Sequence, residues 1–382
     1  MNIYYWSPFI SHVATVKAVI NSAYSLNYYS NKYSTHIINV AGEWNIYKKE
    51  LLKKNIKLIN LTSSNVINNK NINGFFKSRL IYLYLCIISF LPLIRLLKSN
   101  PPKFFIIHLI SPLPLILNYL FKFNTKMVLR ISGLPKLNFF RKNFWKITLK
   151  KIHFITCPTF ATKKDLESSN IIDKKKIHVL YDPIISSKEI NKNFSLDNNF
   201  KHKDYYLAVG RLTKQKNFLF LIDVFKDFNS NKKNILIIIG EGEQKKEIQS
   251  YIKKNNLENS IFVYNFTNEI FSIYRNSKCF VLSSLWEDPG FVLVEACYMN
   301  VPIISSNCKN GPQEIMQFGK NGLLFKSNDR NSLFEAFLKF ENMPKQEINK
   351  LKYNAKLKSK EFTIFNHFKN ISYLLEMYQY VE

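Results

Sequence analysis

Short, continuous apolar segments separated by helical stretches recur along the whole chain, and this alternation most constrains the fold. Clear examples are NIYYW (Asn2–Trp6), KFFIIHLI (Lys103–Ile110), YYLAVG (Tyr205–Gly210) and ILIIIG (Ile235–Gly240). Strands that are apolar on both faces are typical of parallel sheets covered by helices on both sides. The sequence therefore predicts an α/β protein built on doubly wound parallel sheets.

The pattern restarts after a polar, Asn-rich segment at residues 191–203. That segment (NKNFSLDNNFKHK) has few apolar side chains to bury, so we interpret it as a linker. A chain of 382 residues has room for two domains of roughly 150 residues each. We therefore predict a first domain over residues 1–190, a second over residues 204–362, and a terminal helix over residues 363–382.

Basic residues are concentrated in the first half of the chain. The net charge is +28, from 55 Lys and Arg against 27 Asp and Glu, and residues 51–164 contain 20 basic residues but no acidic one. Such a charge predicts an anionic partner, which could be nucleic acid, anionic lipid or a phosphorylated substrate. The sequence shows no recognition element typical of nucleic-acid-binding proteins, so we expect no nucleic acid and favour an anionic membrane surface.

One apolar run, LIYLYLCIISFLPLIRLL (Leu80–Leu97), raises the question of a membrane helix. Its unbroken apolar part ends at Ile94 after about 15 residues, which is short of the roughly 20 that a spanning helix requires. The run could be a buried helix, a helix in the membrane interface, or a span, and its length favours the first two. No basic segment precedes an apolar one at the N-terminus, so we expect no secretory signal. We expect a cytoplasmic protein, peripheral on the inner face of the cell membrane.

Candidate ligand-binding residues follow the strands of the second domain, because ligands of open parallel sheets bind at the carboxyl ends of strands. Arg211 and Lys216 follow its first strand, and two cations in one loop suit a diphosphate. Gly240, Glu241 and Gly242 follow the next strand, where two glycines permit close approach of the backbone to a ring or a phosphate. Taken alone, the first loop is better explained by two ordinary surface cations, and the second by a plain β-to-α turn.

The segment LWEDPGFVLVEACY (Leu285–Tyr298) is the most specific feature of the chain. A Pro-Gly pair interrupts it and predicts a helix that begins near Phe291. The free amides of the first helical turn, aided by the helix dipole, form an anion site. Glu287 precedes this site and Glu295 lies two turns beyond it, so the two carboxylates can accept hydrogen bonds from a transferred hexose and from a nucleotide ribose. The alternative is one solvated glutamate and one buried capping glutamate.

These motifs, followed by NGPQEIMQFGKNGLLF (Asn310–Phe325), resemble in order and spacing the C-terminal half of glycosyltransferase family 4. A weaker similarity to bacterial polysaccharide and lipid-linked oligosaccharide transferases extends through IIHLISPLP, LRISGLP and ITCPTFATKKDL. The resemblance implies the GT-B fold, with two facing Rossmann-like domains. It also implies a retaining hexosyltransferase that uses a nucleotide sugar, by family frequency a UDP-sugar. The acceptor would be a hydroxyl of a glycan or a polyprenyl-diphosphate-linked saccharide.

The resemblance also implies roles for the residues that match. Arg211 and Lys216 would bind the donor diphosphate and neutralise the leaving group. Glu287 would contact hydroxyls of the transferred sugar, and Glu295 would hold the ribose hydroxyls. The other implied donor-binding residues lie in the glycine-containing loops and the first helical turn: Gly210, Gly240, Glu241, Gly242, Gly290, Phe291, Val292 and Leu293.

Two positions depart from the family pattern. Ser132 stands where many members have a histidine, which puts a histidine contact to the donor sugar in doubt. Ser7 opens a first loop that many members fill with glycine, so a phosphate contact there would be different. His12 and His108 are other candidates, but both are more consistent with structural roles.

No metal or cofactor is expected. The chain has no Asp-x-Asp motif and its five cysteines form no CxxC pair, so we expect protein cations to neutralise the diphosphate in place of a metal. A phosphorylase of the same fold would need a pyridoxal lysine site, for which the sequence gives no support. The remaining alternative is a basic non-enzyme of the same fold that binds nucleic acid or a membrane.

Overall fold

The computed structural model describes residues 1–10, 14–67, 75–133, 137–190, 204–231, 233–267 and 270–380. It consists of two compact units, one formed by Met1–Ile184 with Ile364–Glu382 and the other by Ile185–Thr363. The contacts thus divide the chain a few residues before the predicted boundary at 190 and group the terminal helix with the first unit. The predicted linker at residues 191–203 lies outside the described residues.

Within the described residues, thirteen strands form two sheets and fifteen α-helices surround them. The strands are β1 (Asn2–Trp6), β2 (Ser34–Asn39), β3 (Lys57–Asn60), β4 (Phe104–Ile107), β5 (Lys126–Arg130), β6 (Phe154–Cys157), β7 (Ile177–Val179), β8 (Tyr205–Val209), β9 (Leu236–Ile239), β10 (Ile261–Tyr264), β11 (Ser277–Leu282), β12 (Ile303–Ser306) and β13 (Leu323–Phe325). The helices are α1 (Ala14–Tyr29), α2 (Lys48–Lys53), α3 (Phe75–Ser99), α4 (Pro112–Leu120), α5 (Phe139–Thr148), α6 (Phe160–Ser168), α7 (Ser187–Ile190), α8 (Phe218–Phe228), α9 (Lys245–Lys254), α10 (Ile270–Asn276), α11 (Phe291–Tyr298), α12 (Pro312–Ile315), α13 (Arg330–Glu341), α14 (Lys345–Ser359) and α15 (Ile364–Tyr378).

The first unit contains a seven-stranded sheet of order β3-β2-β1-β4-β5-β6-β7, in which each neighbouring pair is parallel. Helices cover both faces, so β4, for example, is buried throughout. Side chains of α1 and α15 pack with one face of the sheet. Side chains of α3, α4 and α5 pack with the other. The predicted doubly wound arrangement is confirmed in this unit.

The second unit contains a six-stranded parallel sheet of order β10-β9-β8-β11-β12-β13. Renumbered within the unit, this is the strand order 3-2-1-4-5-6 of a dinucleotide-binding fold. Its central strands β8, β9 and β12 are buried along their whole length, because helices cover both sides. The strand order reverses between β8 and β11, and ligands of such sheets bind at this reversal point.

Helix α3 is longer than the sequence predicted. The unbroken apolar part ends at Ile94, but the helix itself continues through Pro92 and Arg95 and spans 25 residues. The most apolar 18-residue window within Lys77–Ser99 has a mean hydropathy of 2.2, and only 22% of that window is buried. By length and composition alone this is the one helix of the described residues that could cross a membrane. Its inner side chains pack within the first unit, however, since Leu85, Leu93 and Leu97 belong to that unit's core.

Candidate active site

The candidate site residues lie on the loops at the reversal point of the second sheet. The loop after β8 carries Arg211 and Lys216, and the loop after β11 carries Glu287 and leads into α11. Strands β8 and β11 are neighbours and run parallel, so the two loops leave the sheet at the same edge. The structure therefore brings together residues that are about 70 positions apart in the sequence.

Lys216 and Glu287 form a buried ion pair through the Lys216 ammonium and the Glu287 Oε1 atom. The same oxygen accepts a hydrogen bond of 2.5 Å from the hydroxyl of Ser284, which is also buried. A carboxylate and an ammonium leave water at a high free-energy cost unless each is paired, and here they satisfy one another. The residue predicted to bind diphosphate and the residue predicted to contact the sugar are thus direct partners in this structure.

Serines at the end of β11 and β12 hold this pair in place. The Ser283 hydroxyl donates to the carbonyl oxygen of Lys216 at 2.7 Å, and the Ser306 hydroxyl donates to the carbonyl oxygen of Ser284 at 2.7 Å. Cys308 is buried beside them; burial raises the pKa of its thiol to about 11, with a smaller contribution from the Glu287 charge. None of these residues was singled out from the sequence. The Ser-Ser pair directly after a buried strand was the available signal.

Gln215 connects the two loops on their outer side. Its side-chain amide donates to the carbonyl oxygen of Trp286 at 2.8 Å. Its main-chain carbonyl oxygen accepts a hydrogen bond of 2.9 Å from the main-chain amide of Leu285. Its side-chain oxygen accepts a long hydrogen bond of 3.4 Å from the guanidinium of Arg211. Arg211 is exposed, in contrast to Lys216. The two predicted cations therefore differ: one is locked in an ion pair, and the other is open to an incoming anion.

The glycines in the loops after β8 and β9 mainly allow these two loops to contact each other. A Cβ atom on Gly240 would lie 1.8 Å from the carbonyl oxygen of Gly210, and one on Gly242 would lie 2.4 Å from that of Leu212. The amide of Leu212 donates to the carbonyl oxygen of Glu241 at 2.8 Å, while Glu241 itself is exposed. These glycines were predicted to admit a ligand to the backbone, and the structure shows in addition that no side chain fits between the loops.

Helix α11 begins where predicted and presents free amides. Its N-cap is Gly290, whose φ of 99° favours a residue without a side chain. Within the described chain, the amides of Phe291 and Val292 have no hydrogen-bond acceptor. The amide of Leu293 donates to the carbonyl oxygen of Gly290 at 3.1 Å. Two of the three predicted amides are therefore available to an anion at this helix N-terminus.

Glu295 is partly buried on the same helix and lies near Tyr274 of α10. The Tyr274 hydroxyl donates to the carbonyl oxygen of Val292 at 3.1 Å, which fixes the first turn of α11. Burial raises the pKa of Tyr274 well above its ordinary value, and the nearby Glu295 carboxylate raises it further. Tyr274 was missed in the sequence, because an apolar helix with one tyrosine is an ordinary core pattern.

Three of the first-unit positions discussed in the sequence analysis, Ser7, His108 and Ser132, belong to the described residues. Ser7 is buried and, in the part of the chain that is described, its hydroxyl has no hydrogen-bond partner. His108 is partly buried, and burial lowers its pKa well below the ordinary value, with Arg130 and His367 adding to the effect. A neutral imidazole is consistent with the structural role expected for His108. Ser132 is partly exposed, and His12 lies outside the described residues.

Among the described residues, no group of three or more His, Cys, Asp or Glu side chains could hold a metal ion. The candidate site residues include three carboxylates, Glu241, Glu287 and Glu295, and Glu287 is already paired with an ammonium. The absence of a metal or cofactor therefore stays a prediction.

Comparison with known proteins identifies the enzyme class. The model for glycosyl transferases group 1 matches residues 190–358, which include both loops and α11. The chain is a glycosyltransferase. An uncharacterised glycosyltransferase of Methanocaldococcus jannaschii is 28% identical over 333 residues, which cover 74% of this chain and 82% of the relative. The expected enzyme class is confirmed, and a non-enzymatic protein of the same fold is not supported.

Two further comparisons concern the relatives' substrates and fold. A Campylobacter jejuni protein named N-acetylgalactosamine-N,N'-diacetylbacillosaminyl-diphospho-undecaprenol 4-alpha-N-acetylgalactosaminyltransferase is 28% identical over 243 residues, 61% of this transferase and 66% of the relative. Anabaena HepE, solved in complex with UDP, has a TM-score of 0.73 at 15% identity, covering 99% of this chain and 100% of that one. The second likeness confirms the predicted GT-B fold.

Proposed function

We propose that this transferase moves a hexosyl group from a UDP-sugar to a hydroxyl of a lipid-linked saccharide, with retention of the anomeric configuration. The observation that carries the proposal is the Lys216–Glu287 pair beside the open N-terminus of α11, at the reversal point of the second sheet. This arrangement offers positive charge and free amides to a diphosphate, and a carboxylate to a sugar.

The main electrostatic task of the site is to stabilise the negative charge of the leaving diphosphate. As the bond between the anomeric carbon and the diphosphate breaks, negative charge grows on the phosphate oxygens. Arg211, Lys216 and the free amides of α11 supply fixed positive potential there, and such preorganised groups contribute several kcal/mol to lowering a barrier. Lys216 can turn to the diphosphate only by loosening its contact with Glu287, which frees that carboxylate for the sugar hydroxyls.

Retention needs no separate base in this scheme. The leaving phosphate accepts the proton of the acceptor hydroxyl on the same face of the sugar, so that the new bond forms where the old one breaks. Glu287 holds the transferred sugar and Glu295 holds the ribose. Protein cations take the place of a metal, so we expect transfer to be unchanged by a chelator.

A lipid-linked acceptor is supported by the relatives and by the first unit. The Campylobacter relative is named for a diphospho-undecaprenol acceptor. Residues 51–164 carry 20 basic and no acidic residues, which suits an anionic lipid head and an anionic bilayer. We therefore place the enzyme on the cytoplasmic face of the cell membrane as a peripheral protein. Lys77, Arg79, Arg95 and Lys98 flank the apolar part of α3 and are its expected anchors.

A donor screen tests the proposal. UDP-sugars should raise the melting temperature of the protein more than GDP- or ADP-sugars do, because a ligand that binds only the folded state stabilises it. Arg211→Ala and Lys216→Ala should each lower transfer at least tenfold while the fold survives. Lys214→Ala is the matched control, since Lys214 is an exposed cation of the same loop. Wild-type turnover in both test variants would remove these cations from the mechanism.

A further inference from the structure

The outer surface of α3, α4 and α5 is unusually apolar for a surface exposed to water. These helices pack side by side, α3 against α4 and α4 against α5. Among their described side chains, eleven large apolar ones are exposed: Leu80, Leu83, Ile87, Phe90, Leu91, Ile116, Tyr119, Leu120, Phe139, Phe140 and Ile147. Contiguous exposed apolar patches of this kind mark interaction surfaces.

Helix α3 has two apolar faces, and only one of them belongs to the core. Leu85, Ser89, Leu93 and Leu97, at every fourth position, are buried against the sheet. The exposed residues begin at Leu80 and recur at helical spacing over about 16 Å, at a rise of 1.5 Å per residue. Since the inner face is packed within the unit, the helix can lie on a membrane but cannot cross one without leaving its own domain.

Among the apolar residues of these three helices, the most exposed are not on α3, where the sequence pointed, but at the start of α5. Phe139 and Phe140 are 75% and 82% exposed, and their rings meet edge to face at 5.8 Å between centroids. The side chain of Asn138 accepts a hydrogen bond of 2.9 Å from the amide of Arg141, which caps the helix. The two rings are therefore presented by an ordered first turn. Aromatic residues of this kind favour the interface between lipid and water.

The charges around this surface have one sign. Arg141 and Lys146 on α5 and Lys150 just after it are exposed, as are the four cations that flank the apolar part of α3. The whole of residues 51–164 contains no acidic residue. A second copy of the chain would bring cations against cations, and a nucleic acid would leave the apolar side chains in water. An anionic bilayer satisfies both components of the surface.

We infer that the outer faces of α3, α4 and α5 form one membrane-docking surface, and that Phe139 and Phe140 insert into the bilayer interface. This inference rests on the peripheral location given in the proposed function, but its test needs neither donor nor acceptor. The cations supply long-range attraction to anionic lipid, and the apolar side chains supply the contact that survives when salt screens the charges.

Flotation with vesicles tests the inference. The wild-type protein should float with phosphatidylcholine vesicles that contain phosphatidylglycerol, more at low than at high salt, and only weakly with phosphatidylcholine alone. The double variant Phe139→Ser/Phe140→Ser should bind at least tenfold less. The control is Phe318→Ser, which removes an 81% exposed phenylalanine of the second unit and should float like the wild type.

Three outcomes would overturn the inference. Failure of the folded wild type to float would exclude a lipid partner, and equal flotation of the double variant would exclude insertion by α5. Self-association of the wild type that is lost in the double variant would identify a second copy as the occupant. None of these depends on turnover, so a transferase that is active on a water-soluble acceptor but does not float contradicts this inference and leaves the proposed reaction standing.

Discussion

Each unit of the molecule contains a buried ion pair near the carboxyl end of its parallel sheet. In the first unit the guanidinium of Arg130 binds the Asp182 carboxylate at 2.6 Å, and in the second Lys216 binds Glu287. Their side chains are 3% and 7% exposed in the first pair and 11% and 6% in the second. Burial and pairing therefore do not tell a structural pair from a functional one.

The surroundings do distinguish them. Arg130 also donates to the carbonyl oxygen of Leu180 at 2.7 Å. The same chain segment is held by Asn21, which donates to the carbonyl oxygen of Pro183, and by His367, whose Nδ1 donates to the main-chain carbonyl oxygen of Tyr181 at 2.7 Å. The segment is the last part of the first unit before the chain passes to the second. This pair is enclosed by structural hydrogen bonds, whereas the second pair adjoins free helix amides and an exposed arginine.

The largest expected effect tests this contrast through stability. Arg130→Met leaves Asp182 as a buried carboxylate without its cation, and removing one partner of a buried pair costs about 3–5 kcal/mol. Lys216→Met should cost less, because Glu287 keeps the Ser284 hydroxyl and borders the positive end of α11. Denaturant unfolding, followed by hydrogen exchange so that the two units are resolved, measures both. Equal losses of unfolding free energy in the two variants would mean that both ion pairs have the same structural role.

A second difference between the units lies in their response to acid. Every histidine of the described residues belongs to the first unit. Burial is the main cause that lowers the pKa of each of these histidines. For His367 burial lowers the pKa to about 3; the neighbouring Arg130 charge adds to this, and the Tyr181 carbonyl opposes it. In the unfolded chain the His367 imidazole has a pKa near 6.5, so it binds a proton at pH values at which the folded protein keeps it neutral. Stability should therefore fall as the pH drops below about 6.5.

For His367 alone, the linkage amounts to about 2 kcal/mol at pH 5 relative to neutral pH. His367→Gln keeps a polar group beside Ser22 and removes the titration, so its stability should depend less steeply on pH. Unfolding at several pH values, resolved by unit, provides the measurement. Parallel pH profiles for variant and wild type, or earlier acid unfolding of the second unit, would contradict this assignment.

The sequence predicted the interior of both sheets well, because central parallel strands are continuous apolar runs. It missed β3 and β13, which are edge strands of four and three residues with partly exposed side chains. It ended the unbroken apolar part of α3 at Ile94, before Arg95, whereas the helix continues to Ser99. In the candidate site it found the charged residues and the glycines. It missed Ser284, Gln215 and Tyr274, whose roles depend on contacts between loops that are distant in the sequence.

The third and smallest effect separates the two glutamates of the second unit. Glu295→Gln should weaken UDP binding about tenfold, because the ribose that this residue is proposed to hold is present in UDP as well as in the donor. Glu287→Gln should lower transfer but leave UDP affinity unchanged or slightly higher. The reason is that the neutral amide no longer competes with the diphosphate for Lys216. Calorimetric titration of both variants with UDP measures the difference.

This last comparison also tests how the buried pair of the second unit works. If Lys216 exchanges Glu287 for the diphosphate, loss of the carboxylate charge frees the lysine before the ligand arrives, and UDP should bind at least as tightly as in the wild type. If the pair is as fixed as Arg130–Asp182, the substitution should disturb the site and weaken UDP binding. Equal loss of affinity in both glutamate variants would therefore contradict the separate assignment of sugar and ribose, and would make Lys216–Glu287 a structural pair.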